Sequence, residues 1–156
     1  MEMSEEYLLP APREAVWQAL NDAEILKSCI PGCQELEKLS DTEFTAVVTA
    51  KIGPVKAKFK GAVELCDLCP PDSYRITGQG SGGIAGFAKG DATVILADAE
   101  DGKTLLKYQV NAAIGGKLAQ LGQRLVASTS RKMATQFFNS FEEQFHQETA
   151  LENADG

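Results

Sequence analysis

The chain has 156 residues, 44% apolar and 24% charged, with a net charge of −7. That is enough for one domain with one core, expected over residues 1–150, and the acidic balance argues against a nucleic-acid partner and against direct adsorption to anionic lipid, which both need clustered Lys and Arg. No apolar run approaches the roughly 20 residues of a membrane span, and the start has no basic segment leading into an apolar one, so the expected compartment is the cytoplasm.

In chain order, residues 3–9 form a short first strand. Pro12 opens a helix in which Val16, Trp17 and Leu20 share one side. Asp22 caps a second short helix, DAEILKSC, which ends before Pro31-Gly32. Residues 34–40 form a modest strand. Next, Phe44, Ala46, Val48, Ala50 and Ile52 alternate with Thr45, Val47, Thr49 and Lys51. Gly53-Pro54 breaks that run. Val55, Ala57, Phe59, Gly61, Val63 and Leu65 then alternate with Lys56, Lys58, Lys60, Ala62 and Glu64. The spacing predicts a long antiparallel hairpin with one apolar and one lysine-rich face.

ITGQGSGGIAGFAKGDATV follows, and its Gly78, Gly80 and Gly83 match G-x-G-x-x-G. The phosphate-binding version of that motif opens a helix. Here a period of two runs straight through it, from Tyr74 and Ile76 to Gly78, Gly80 and Gly82. Downstream, Ala88, Gly90, Ala92, Val94 and Leu96 alternate again. The stretch is two strands, with no dinucleotide site. A last strand carries Thr104, Leu106, Tyr108, Val110, Ala112 and Ile114 on one side. From 117 to 148, Leu118, Leu121, Leu125, Met133, Phe137 and Phe141 recur at helical spacing, predicting one long amphipathic helix. The tail, 151–156, is expected to be disordered.

The expected class is therefore α+β: a curved antiparallel sheet covering its apolar face with a long C-terminal helix, and two short helices after the first strand. Glycines on the inward face let the sheet bend and let a helix or ligand approach its backbone. Two readings stay open, a true cavity or a filled core with glycines only for curvature. Gly80→Val is expected to overpack by about 1–3 kcal/mol, with the loss falling mainly on ligand binding if the interior is a cavity rather than solid.

Chemistry-bearing residues are sparse. Cys29-x3-Cys33 and Cys66-x2-Cys69 have metal-like spacing. The meander order separates the pairs by about seven residues of strand, ~20 Å, so no metal site and no disulfide between them is expected. His146 is the single histidine and is read as a solvated helix-end residue. No carboxylate falls on the inferred inner face, so no catalytic residues and no cofactor are assigned. Lys56, Lys58 and Lys60 make either a solvated stripe or a dock for an acidic partner. Trp17 reads as core. Tyr74 and Tyr108 point inward, each satisfied internally or serving as a polar handle for a ligand.

PAPREAVWQALNDAEILKSCIPGCQELEKL, the IPGC turn, AKIGPVKAKFKG, GFAKGDATV and GGKLAQLGQRL together resemble the CoxG family of aerobic carbon monoxide dehydrogenase gene clusters, within the START-like (Bet v 1-like) helix-grip superfamily. The resemblance spans roughly residues 3–145. It implies a seven-stranded sheet gripping the C-terminal helix around a hydrophobic cavity. It also implies an accessory role, maturing or membrane-recruiting a molybdenum hydroxylase client, with membrane contact that is indirect or peripheral to the inner face of the cell membrane. Some members carry a C-terminal extension suited to membrane attachment; this sequence ends at Gly156 without one.

The function expected is non-catalytic: a lipophilic molecule, a quinone or lipid, held between sheet and helix. The alternatives are an enzyme of the polyketide cyclase or hydrolase type acting on an aromatic substrate, and a pure interaction protein with a filled core. Oligomerisation stays open. The expected ligand-binding residues are Phe44, Val48, Phe59, Tyr74, Ile76, Tyr108, Leu121 and Leu125. Phe87 joins them either as a gate on the glycine-rich, weakly braced loop Gly82–Phe87 or as a core residue; Gly115-Gly116 would be the opposite lip if the topology brings the two together.

Overall fold

The computed structural model describes the backbone of residues 1–155 and side chains through Gln147. The expectation for the tail, 151–156, falls on residues outside that description of side chains.

The chain runs β1 (Glu2–Leu9), α1 (Arg13–Leu20), α2 (Ala23–Cys29), β2 (Cys33–Lys38), β3 (Glu43–Ile52), β4 (Val55–Cys69), β5 (Ser73–Ser81), β6 (Phe87–Asp98), β7 (Thr104–Gly115), α3 (Lys117–Gln120) and α4 (Gln123–Asp155). Short 3-10 turns cover Gly83–Ala85 and Glu100–Gly102. The strands form one seven-stranded antiparallel sheet in the order β1-β7-β6-β5-β4-β3-β2. From β2 to β7 consecutive strands pair with each other, and β1 pairs with β7, so β1 and β2 are the two edges.

Local chemistry sets the ends. Asp22 accepts from the amides of Glu24 (2.9 Å) and Ile25 (3.2 Å), satisfying the free donors that open α2. Pro12 sits one residue outside α1, in extended geometry, rather than inside its first turn. Gly32 has φ +74, and its carbonyl accepts from Thr49 N at 2.9 Å, tying the IPGC turn to β3. A Cβ there would fall on the Thr49 carbonyl oxygen, so glycine is required twice over.

The C-terminal helix is not one helix. Gly122 has φ +91, which a right-handed helix cannot contain, so α3 stops and α4 restarts at Gln123. The buried face of α4 also differs from the expected one. Val126, Phe138, Phe141 and Phe145 are buried, whereas Leu125 is exposed. The core gathers at one end, where Leu9, Val16, Leu106 and Phe141 are sealed from solvent. The hydroxyl of Thr104, fully buried there, donates to the Ala11 carbonyl at 2.7 Å.

Candidate functional site

Cross-strand partners share a face. Phe44 lies opposite Val63, Val48 opposite Phe59, Ile76 opposite Ala92, and Val94 opposite both Tyr74 and Tyr108. The six expected sheet residues therefore do share the inner face. Beneath α4 this face lines a partly open cavity of about 480 Å³. Phe44, Tyr74, Ile76 and Tyr108 line it, with Val63 and Val110 from the sheet, Leu20 and Leu26 from α1 and α2, and Met133 and Phe137 from α4. Among the described residues no charged one lines it, and its inward-facing polar side chains are Tyr74 and Tyr108.

The other expected residues fall elsewhere. Val48 and Phe59 lie nearer the β3–β4 turn, where the Phe59 ring covers Gly82. Leu121 sits at the break between α3 and α4, and Leu125 lies against Gly53, 37% exposed. None of the four lines the cavity. Phe87 needs a full correction. It pairs with Ser81 and Gly115, out of phase with the inner Ala88, so it stands on the outer face, 52% exposed, with its ring over Gly115. It neither closes over the cavity nor enters the core. The loop is also braced: Gly82 N donates to Gly86 O (2.9 Å) and Gly86 N to Gly83 O (3.1 Å). The topology does bring the two glycine segments together, since a Cβ on Gly116 would stand 2.6 Å from Gly86 Cα.

A second hollow of about 270 Å³ continues along the inner face, sharing Val63, Ile76, Ala92 and Val110 with the first and floored by Gly78, Gly80 and Gly90. These glycines have different reasons. A Cβ at Gly90 would fall on the Asn111 carbonyl oxygen, and one at Gly78 would press on Val63 Cγ1 at 2.8 Å. One at Gly80 meets nothing nearer than 3.6 Å, which is ordinary contact. With a hollow at Gly80, the loss from Gly80→Val is expected to fall on ligand binding rather than on stability. Gly80→Val should leave the melting temperature within about a degree or two of wild type while shrinking the hollow, whereas Gly90→Ala should cost about 1–3 kcal/mol. Paired melts of the two variants check this, and a large loss at Gly80 would contradict it. A larger hollow, about 740 Å³, lies on the outer face among Glu35, Glu37, Lys60 and Lys89. Its charged rim makes it a solvent surface rather than a site for an apolar ligand.

The polar groups of the inner face are unequal. The Tyr108 hydroxyl donates to Glu5 Oε2 at 3.2 Å, and the Tyr7 hydroxyl donates to the same oxygen at 2.8 Å. Arg131 Nε lies 3.8 Å from the other oxygen of Glu5. Tyr7, Phe138 and Tyr108 form a stack, with ring centroids 4.1 and 5.9 Å apart. Burial pushes the Tyr108 phenol up, and the nearby charge of Glu5 adds to it. Glu5 corrects the expectation that no carboxylate faces inward. Met3 and Leu9, apolar and buried on the same strand, set the phase that turns Glu5 and Tyr7 to the inner side. That alternation was the available signal.

Tyr74 is different. It is 5% exposed, its ring meets Trp17 edge-on at 5.2 Å, and its hydroxyl bonds no described residue. Tyr74 lines the cavity, and no unpartnered side-chain oxygen among the described residues is sealed off. Burial raises its pKa, which keeps the phenol protonated and a donor at any working pH.

The four cysteines are free, Cys29 buried and Cys69 exposed. Cys33 stands opposite Val48, whereas Cys66 lies beyond the Glu43–Glu64 pair, so the two cysteine pairs sit at different ends of β3. Burial raises the Cys29 and Cys33 thiols. His146 is exposed, 3.4 Å from Glu142 one helical turn away.

A seven-stranded antiparallel sheet closed over an apolar cavity by a C-terminal helix defines a START-like helix-grip protein. A START superfamily protein from Mycobacterium smegmatis shares this fold, with a TM-score of 0.72 at 12% identity over 94% of this chain and 97% of that one. A protein from Thermus thermophilus gives 0.67 at 19% identity, over 92% and 95%. A conserved protein from Geobacillus kaustophilus is nearer, at 30% identity and a TM-score of 0.88, covering 94% of this chain and 96% of its own. Residues 6–146 match the carbon monoxide dehydrogenase CoxG family, and the chain belongs to that family. Comparison with curated proteins finds no match. Among the described residues no helix is long and apolar enough to cross a membrane.

Proposed function

We propose that this chain is a non-catalytic carrier. It holds a lipophilic molecule bearing a carbonyl, of the quinone class, in the inner cavity, and it serves a carbon monoxide dehydrogenase-type molybdenum hydroxylase in maturation or membrane recruitment. The observation that carries the reading is the free Tyr74 hydroxyl in a cavity without charge. A buried phenol ordinarily finds a partner. One left open to a cavity is supplied by the ligand, and a protonated phenol donates best to a carbonyl oxygen. The apolar remainder suits a ring system and an alkyl or isoprenoid chain. The client belongs to this reading through the family name alone.

Glu5 favours the enzyme alternative only weakly. Its oxygens are engaged by Tyr7, Tyr108 and Arg131, and it is not among the cavity-lining residues. A general acid or base must reach the reacting atom. Here Tyr108 stands between.

Trp17 is the single tryptophan and touches Tyr74, so it reports on the cavity. Titration with a short-chain quinone is expected to quench its fluorescence. Tyr74→Phe should weaken that binding about fivefold to tenfold, the worth of one hydrogen bond, and should leave stability unchanged because no protein bond is lost. Solvent extraction of the purified protein with mass spectrometry should yield an apolar molecule. An empty extract together with no quenching would support the filled interaction protein instead.

A further inference from the structure

The pairing of β4 with β5 is irregular between two cysteines. Cys66 stands opposite Arg75 and Cys69 opposite Ser73, so Asp67 and Leu68 together face the single residue Tyr74. This is a β-bulge. Asp67 makes it with φ +52, a left-handed conformation that is uncommon away from glycine. Its carboxylate lies 3.4 Å from Arg75, which holds Asp91 at 2.9 Å as well.

The bulge changes which face the cysteines share. In a regular strand, residues three apart point to opposite faces and stand about 10 Å apart. Tyr74 points inward, opposite Val94, so its neighbours Ser73 and Arg75 point outward. Cross-strand partners share a face. Cys66 and Cys69 therefore both stand on the outer face, two strand steps or about 6.6 Å from each other. A disulfide spans about 4.4–6.8 Å between Cα atoms.

Exposure sets the order of reaction. Cys69 is exposed and Cys66 half-buried. A free cysteine is ordinarily buried and packs as a small apolar group, and an exposed one packs nothing. The other pair differs. Cys29 is buried at the end of α2, and the Cys33 thiol donates to the Glu35 carbonyl at 3.4 Å.

We propose that Cys66 and Cys69 form a reversible thiol–disulfide site whose state is transmitted to the cavity wall. The oxidant is a small disulfide of the glutathione class. The Cys69 thiolate attacks one of its sulfurs, forming a mixed disulfide and releasing one small thiol. The Cys66 thiolate then attacks Cys69 Sγ, closing the protein disulfide and releasing the second. The two cysteine protons end on the released thiols, so the small disulfide takes up the two electrons that the protein loses. An exposed bond of this kind is readily reduced again.

The path to the cavity is short. Leu65, beside Cys66, and Tyr74, between the partners of the two cysteines, both line it. The Tyr74 ring meets Trp17 edge-on at 5.2 Å. Closing the disulfide draws the bulge together directly opposite Tyr74 and shifts that contact. The proposal does not depend on what the cavity holds or on which enzyme is served.

Incubating the reduced full chain with glutathione disulfide tests it. Trypsin releases residues 61–75 as one peptide that holds Cys66 and Cys69 and no other cysteine. This peptide is expected to lose the mass of two hydrogens, and to regain it with dithiothreitol. Cys66→Ser should stop at a glutathione adduct on Cys69. The wild type should accumulate at least about tenfold less of that adduct, because its second step is intramolecular. Trp17 fluorescence should shift on oxidation of the wild type and stay constant in the double variant Cys66→Ser/Cys69→Ser. Melting curves matching the reduced wild type would show that the variants remain folded. A wild-type adduct that never closes, closure onto Cys29 or Cys33 instead, or a closed disulfide with unshifted fluorescence overturns the proposal.

Discussion

Phe141→Ala is expected to lower the free energy of unfolding by about 3–5 kcal/mol. Phe141 is 0% exposed. Its ring stacks on Phe137 at 5.5 Å and meets Phe138 and Phe145 edge-on at 6.4 and 5.2 Å. Those rings all belong to α4, and Phe141 joins them to the buried core that includes Leu9, Val16 and Leu106; Phe137 and Phe138 in turn form part of the cavity wall. Truncation leaves a void that aromatic neighbours cannot collapse into, so the transfer and cavity costs add. A domain of this size has only about 5–15 kcal/mol in total, and the variant should be close to unfolding at physiological temperature. Urea unfolding followed by circular dichroism measures it. A loss under about 1 kcal/mol would mean that the far half of α4 is not docked on the core.

Gly32→Val should cost about 3–4 kcal/mol, from three separable sources. A left-handed residue with a Cβ loses about 1–2 kcal/mol. The side chain would displace the Thr49 carbonyl, and relieving that contact breaks the 2.9 Å bond from Thr49 N to Gly32 O, worth about 1 kcal/mol net. Gly102→Val is the control, because φ is +72 there and nothing lies within 4 Å. It should lose the conformational part alone. Equal losses at both positions would show that the contact with Thr49 carries no weight. Ile30 and Pro31 line the cavity, so Gly32→Val should also weaken quinone binding beyond its effect on stability.

Much of the architecture could be read from local periodicity. The alternation at 44–52 and 55–65 sets a hairpin with a known inner face, and the observed register, Val48 opposite Phe59 and Ala50 opposite Ala57, follows from the two-residue turn at Gly53-Pro54. Asp22 and the glycines at 32 and 53 mark ends for reasons contained in their own side chains or their lack of one. The same alternation runs through Gly78 and Gly80, which is why no phosphate site forms there. Phe87 was also legible, since Ala88 and Gly90 fix the phase that turns it outward; a glycine-rich loop in front of it suggests mobility only while its hydrogen bonds are unseen.

Other features depended on which residues meet across long stretches of chain. Gly122 in a helical pattern could be tolerated or could break the helix, and its φ of +91 breaks it where α3 lies against the 3-10 turn beside Gly86. Whether Leu125 or Val126 is buried depends on the angle at which α4 leaves that break, because one residue turns the face by about 100°. Glu5 joins Tyr108 only because β1 closes the sheet on β7, 103 residues away. The placement of several basic residues has the same origin. Lys51, Lys58, Lys117 and Arg124 are scattered in sequence, and only the antiparallel return of β3 and β4, with the break before α4, gathers them at one end. Composition determined the protein's total charge; the sheet order decided where that charge lies, because pairing between distant strands is not encoded in any one window of the chain.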